Sequence, residues 1–197
     1  MPIPHVKNVM ESIRNLFFHV PMWFTMTFLF TLSVISAILY LNTQKAKYDA
    51  WTTALASVAM LFGLLGLTTG MLWAKYAWNS AWSNDPKQVY AAISLLIYVA
   101  FFILRGSIAD DKSKAKVSAV YNVFAYAALI PLIFILPRMQ ESLHPGAEGN
   151  PGFNNEDVDS QLQMVFYPAV IGWILLGVWL STLRYRFKMI ENNLNEI

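Results

Sequence analysis

Five long stretches of this chain carry no charged side chain, and no other feature restricts its fold as much. They run from Val20 to Gln44, Ala50 to Ala74, Gln88 to Leu104, Val117 to Pro137 and Ser160 to Leu183. A helix that crosses a bilayer needs ~20 largely apolar residues. Four of the stretches meet that length. The third is shorter and is expected to borrow residues from the loop before it, or to let Arg105 snorkel to the interface. Backbone groups in lipid must be satisfied within their own segment, which favours helices over open strands. Alternation with a period of two is missing, which disfavours a barrel. Composition agrees: 56% of residues are hydrophobic, 15% aromatic and 13% charged, against the ~25% charged of a soluble domain.

Residues His5 to Phe18 read differently. Val6, Val9, Met10, Ile13, Leu16 and Phe17 recur at helical spacing, while Lys7, Asn8, Glu11, Ser12, Arg14 and Asn15 fill the other face. That pattern predicts a short amphipathic helix lying on the membrane surface. The expected fold is therefore an all-α polytopic membrane protein, with five transmembrane helices plus an N-terminal interfacial amphipathic helix. No secretory signal pattern precedes it.

Lysines and arginines set the orientation. Alternate exposed segments collect nine positive charges on one side and five on the other. The richer side holds Lys45, Lys47, Arg105, Lys112, Lys114, Lys116, Arg184, Arg186 and Lys188, and is expected to be cytoplasmic. The N-terminus then lies outside and the C-terminus inside. The expected organisation is an outer arm over residues 1–19, one transmembrane domain over 20–184 and a cytoplasmic tail over 185–197. Gly66 and Gly70, with Gly63 a turn earlier, read as close helix packing within the bundle. Pro131 is expected to kink the fourth helix.

This topology was drawn from lysine and arginine alone. It nevertheless gathers three other features on the outer face. His19 stands at the mouth of the first helix in "FFHVPMW", with Pro21 in the first turn. Trp73, Trp78, Trp82 and Asp85 fall in "WAKYAWNSAWSNDPK". His144 lies in the long, acidic last outer segment, in "ESLHPG". Two histidines from separate segments can ligate one metal from opposite sides, and clustered tryptophans offer an aromatic floor. A flat, apolar, metal-containing ligand such as haem fits that combination. Free zinc would want three or four ligands. The chain has no cysteine, so it offers neither a thiolate site nor a thioether attachment.

Each feature also has a plainer account. Tryptophans gather at membrane interfaces as anchors, and an interfacial histidine is commonly a surface residue. His5 is assigned no role. Asp85-Pro86 can simply cap the third helix. Lys75, Lys87 and Arg138 suit either anionic substituents such as haem propionates or ordinary snorkelling. Ionisable residues are missing from the five apolar stretches, where Asn122 is the most polar residue and stands near an end. That argues against coupled ion transport. His19, His144 and Asp85 as an acid–base set would lack a nucleophile. No GxxxxGK[ST] is present, so ATP hydrolysis would come from a partner. The chain reads as a non-enzyme. The competing reading is a structural membrane subunit of a transporter complex, without its own haem site.

His19-Val20-Pro21, Leu143-His144 and the tryptophan-rich segment between them resemble the CcmC-type haem-handling family of cytochrome c maturation, a group that includes CcsA and CcmF. The resemblance runs from His19 to the end of the fifth helix. Ala81 and Asn84 stand where the family has tryptophan, and "DPKQ" is closer to the "DPKE" of CcsA-type proteins, with Gln88 for Glu. The resemblance implies that haem b is held non-covalently and transiently on the periplasmic face by His19 and His144, with Trp73, Trp78, Trp82 and Asp85 around it. It implies delivery to a periplasmic haem chaperone of CcmE type. Implied partners are CcmA- and CcmB-like ABC transporter subunits, a small CcmD-like subunit and membrane lipid, but no nucleic acid. The location implied is the bacterial inner membrane. His144, on an exposed loop, is expected to be an easily released ligand. The family has six spanning helices, and this chain starts about where the first would end, which suggests an incomplete N-terminus or a shortened variant.

Overall fold

The computed structural model describes residues 14–144 and 160–195, with side chains to residue 191. Its architecture is five helices, each long and apolar enough to cross a membrane: α1 (Leu16–Thr43), α2 (Ala46–Ala77), α3 (Pro86–Ser107), α4 (Asp111–Ile130) and α5 (Ser160–Asn195). A π turn, Pro131–Ile135, and a 3-10 turn, Leu136–Met139, carry the α4 span onward. Most of the expected amphipathic arm, with His5, lies outside the described residues. Leu16 to Phe18 already belong to α1, so that helix runs unbroken through His19.

The α1–α2 pair forms the centre, joined by a tight turn in which Gln44 takes a left-handed conformation, φ 54°. Helix α5 packs on α1 and α2, while α4 packs on α1 and α3. Close approach of α1 and α2 depends on the glycines. A Cβ on Gly63 would lie 2.9 Å from Met26 Sδ, one on Gly66 3.0 Å from the Trp23 ring, and one on Gly70 2.6 Å from the His19 ring. The two sets of positions step three and four residues along their helices, in opposite directions. A ridge of α1 thus fits a glycine groove of α2, and the motif serves packing within the bundle.

Lipid tails are as apolar as leucine, so packing and interhelical hydrogen bonds carry the association. The core holds Met26, Leu29, Phe30, Phe62, Tyr98, Phe101 and Leu129, all fully buried. Phe30 and Tyr98 stack with ring centroids 3.5 Å apart. Ser33 donates to the Thr52 carbonyl at 2.8 Å and accepts from Asn122 Nδ2 at 2.8 Å, which ties α2, α1 and α4 together. Asn122 is thus a buried crosslink.

Helix α3 takes Pro86 and Lys87 from the loop before it, as expected of the short third stretch, while Arg105 does not snorkel freely: it binds Asp49 of α2 through both nitrogens, at 2.8 and 2.6 Å. Pro21 lies beyond the first turn of α1. Having no N–H, it leaves the Phe17 carbonyl without its helical partner, and Trp173 of α5 donates its indole N–H to that oxygen at 3.2 Å. At Pro131 the helix changes hydrogen-bond pattern, with the Leu136 N–H reaching back to the Pro131 carbonyl. The wide turn, followed by the tight one, delivers residues 140–144 to the end of the bundle where α3 begins.

Candidate functional site

At that end Asp85 organises everything near it. As the N-cap of α3 it accepts the Lys87 N–H at 2.9 Å, with Pro86 in the first helical position. Its carboxylate also accepts the Leu143 N–H at 2.7 Å and the Ser142 hydroxyl at 2.9 Å. Nδ1 of His144 completes the set at 2.8 Å. The Asp85 side chain is only 1% exposed and that of His144 18%. Burial would raise the Asp85 pKa, but the hydrogen bonds from His144, the Leu143 N–H and the Ser142 hydroxyl outweigh it. The carboxyl is held well below the usual carboxylate range. A carboxylate accepts only, so Nδ1 of His144 carries the proton and Nε2 is its open nitrogen. His144 is pinned, contrary to the loosely held loop ligand expected from sequence.

His19 is fixed in the same sense by a different element. Its Nδ1 lies 2.9 Å from the Gly66 carbonyl and 3.3 Å from Thr69 Oγ1, both on α2. The carbonyl cannot donate, so Nδ1–H is again the donor. Neither Nε2 has a hydrogen-bond partner among the described residues.

The tryptophans divide. Trp78 meets the His144 ring edge-on with centroids 4.7 Å apart, and Trp73 lies 6.3 Å from it. Trp73 and Trp78 are 5.0 Å apart at 80° to each other. They form a corner around His144 and not the flat floor expected. Trp82 stands apart, 38% exposed, with its indole N–H on Asn84 Oδ1 at 2.8 Å. No ring contact joins it to Trp73, Trp78 or His144 among the described residues. Asn79 and Asn84 both take left-handed conformations, φ 57°, a backbone state that asparagine tolerates and tryptophan does not favour.

Gln88 holds this loop to α3. Its Oε1 accepts the Ser83 N–H at 3.0 Å and the Ser83 hydroxyl at 3.2 Å, and its Nε2 donates to the Ala81 carbonyl at 3.2 Å. Lys75 donates to the Asn79 carbonyl at 3.3 Å. Lys87, in the first turn of α3, and Arg138, in the 3-10 turn, stand at the same end. Cationic groups thus border the histidine end.

The structure therefore brings Asp85, His144, Trp73 and Trp78 together, seats His19 on the neighbouring stretch of α2, and leaves Trp82 outside. Sequence reasoning missed Ser142, the Gly66 carbonyl, Thr69 and the bracing role of Gln88. Of these only the glycines gave a signal, and it indicated packing alone. Chemically, the described residues offer an imidazole nitrogen of His144 beside the aromatic corner and a second, of His19, on α2 next to Trp23. Among the described residues no group of three or more His, Cys, Asp or Glu is placed to hold a bare metal ion. Two axial donors suffice for a metal that brings its own equatorial ligands.

Comparison with known proteins gives a consistent result. The family model CcmC, "Heme exporter protein C", matches residues 3–197. "Heme exporter protein C" of Haemophilus influenzae is 22% identical over 183 residues, covering 93% of this chain and 74% of that protein. "Cytochrome c biogenesis protein CcsA" of Cuscuta reflexa is 36% identical over 84 residues, 42% of this chain and 27% of that protein. A "Putative cytochrome c biosynthesis ccmC-like mitochondrial protein" of Marchantia polymorpha is 26% identical over 134 residues, 68% of this chain and 56% of that protein. The chain thus spans about three quarters of the first relative's length and much less of the other two.

Proposed function

The chain belongs to the CcmC, Heme exporter protein C, family, and from that membership we propose that it binds haem through His19 and His144 and hands it on for cytochrome c maturation. The observation that carries this reading is the state of the two imidazoles. Each spends Nδ1–H on an oxygen that can only accept, Asp85 Oδ1 at 2.8 Å and Gly66 O at 2.9 Å, which leaves both Nε2 atoms to ligate. Haem, as cargo, supplies an iron with four equatorial nitrogens and two axial positions. The aromatic corner of Trp73 and Trp78 offers an apolar surface for the macrocycle. The lysines and Arg138 at this end suit its propionates. The chain has no cysteine, so it offers no thioether attachment, and in this reading haem is held by coordination and packing alone.

The histidine end faces the periplasm in this reading, because the opposite end carries nine of the fourteen lysines and arginines. The protein then lies in the bacterial inner membrane with its N-terminus outside and its C-terminus inside. It passes haem b to a CcmE-like chaperone and works beside CcmA-, CcmB- and CcmD-like subunits. Ser142, Leu143 and His144 all bind Asp85, so release involves moving residues 142–144 as a unit.

An absorption spectrum tests this directly. The protein is purified in detergent from haem-replete cells, beside His19→Ala and His144→Ala. The expected result is a low-spin six-coordinate spectrum in the parent, altered in both variants. A colourless parent that also fails to take up added haem would favour a structural subunit without its own haem site.

A further inference from the structure

The α1–α2 groove does more than pack helices where it meets His19. We propose that Gly70 is a positioning residue for His19: with the Gly66 carbonyl and Thr69 it forms a slot on α2 that holds the imidazole in its Nδ1–H form and leaves Nε2 as the only nitrogen open to a ligand. The purpose of the slot rests on the haem reading above, whereas its geometry does not.

The slot follows from three contacts. Thr69 Oγ1 donates its own proton along α2, to Leu65 O at 2.7 Å or Gly66 O at 3.1 Å. Its oxygen therefore meets His19 as an acceptor, as the Gly66 carbonyl does. Two acceptors against Nδ1 select one tautomer. The ring reaches them only because position 70 has no side chain. A Cβ there would lie 2.6 Å from Cε1, 3.2 Å from Nδ1 and 3.3 Å from Nε2, in contact with the ring itself and not with a flexible chain end. The ring could escape only by rotating away, which breaks the bond to Gly66. At the other glycines of the groove an added Cβ would press on other side chains: one on Gly66 meets Trp23, and one on Gly63 meets Leu95 and Met26.

The test compares Gly70→Ala with Gly63→Ala, which perturbs the same groove further along α2 and away from the slot, and with Gly172→Ala, where a Cβ meets nothing within 4 Å. Imidazole nitrogen NMR is recorded on haem-free protein labelled at histidine, in a background with His5 and His144 changed to Gln so that only His19 reports. The parent should show a single Nδ1–H form. Gly70→Ala should lose it, while Gly63→Ala and Gly172→Ala keep it. In the chain with all three histidines, added haemin should give a low-spin spectrum in the parent. In Gly70→Ala it should give a high-spin spectrum that added imidazole converts to low spin. The melting temperature closes the cycle: Gly70→Ala should lower it in the parent but not in a His19→Ala background, where the obstructing ring is gone. Recovery of folded protein only as the double variant would give the same answer. An unchanged His19 signal in Gly70→Ala, or an equal loss in Gly63→Ala, overturns the proposal. A parent that shows the Nδ1–H form but takes up no haem leaves the slot standing and removes the haem reading.

Discussion

A hydrogen bond of 2.8 Å joins the carboxylate of Asp85 to Nδ1 of His144, 59 residues further along the chain. The same carboxylate caps α3, so one side chain both starts a helix and orients an imidazole. A lone histidine in a loop samples both tautomers, whereas one held against a buried carboxylate does not.

Replacing Asp85 should therefore act through His144. Asp85→Asn keeps a capping oxygen but loses the charge, and Asp85→Ala loses both. Haem affinity should fall by roughly 10–100-fold, as is usual when a partner that orients a ligand histidine is removed, and further in the alanine variant. Haem titration checks this. The carboxyl is held well below the usual range, so its stabilisation is present above the unfolded pKa of ~4 and is lost only as pH falls through the lower folded value. The stability gap between parent and Asp85→Asn should thus persist at pH 5 and close only in stronger acid.

Trp78 and Trp82 should behave differently despite sharing one loop. Trp78 meets His144 at 4.7 Å, and Trp78→Ala should weaken haem retention by roughly 3–10-fold, the worth of an aromatic pair. Trp82 touches neither His144 nor Trp73, and Trp82→Ala should leave the absorption spectrum of bound haem unchanged. Equal spectral effects from both variants would mean that the aromatic site extends beyond the corner seen here.

Gln88→Glu should loosen the tryptophan loop at neutral pH. An ionised Glu accepts but cannot donate, so the contact to the Ala81 carbonyl, 3.2 Å in the parent, is lost at a buried position. The cost is about 1–3 kcal/mol. Hydrogen exchange across residues 79–84 should quicken at pH 7. Relative to the parent it should recover in acid, where a protonated Glu can donate again.

Arg105→Ala should destabilise the far end of the bundle without altering haem ligation. It leaves Asp49 without its bidentate partner, in a place where the two side chains are only 13% and 19% exposed. Breaking a fully buried pair costs ~3–5 kcal/mol. Residual exposure lowers that here, to roughly 1–3 kcal/mol. Thermal melts of Arg105→Ala, Asp49→Ala and the double variant should show strong coupling, with the double variant less unstable than the two singles combined.

Much of the molecule was legible in one dimension. Lipid demands helices of a minimum length, so uncharged runs locate the spans with little ambiguity, and a strict up-and-down chain then assigns His19, Trp73, Trp78 and His144 to one end. Asp85 as a cap was readable too, because capping depends on neighbours in sequence. The groove of Gly63, Gly66 and Gly70 was visible as packing.

What was not legible depends on pairings between distant residues. Nothing local distinguishes Trp78 from Trp82. Only the left-handed turns at Asn79 and Asn84, together with the brace from Gln88, send one ring inward and the other out. Arg105 looked free because Asp49, its partner, lies on another helix. Sequence by itself determined the five helices and the end at which the histidines and tryptophans gather, since each follows from the cost of exposing charge or backbone to lipid. Tertiary structure alone decided which nitrogen of each histidine stays open, because that depends on single oxygens of Asp85 and Gly66, dozens of residues away, arriving within 3 Å.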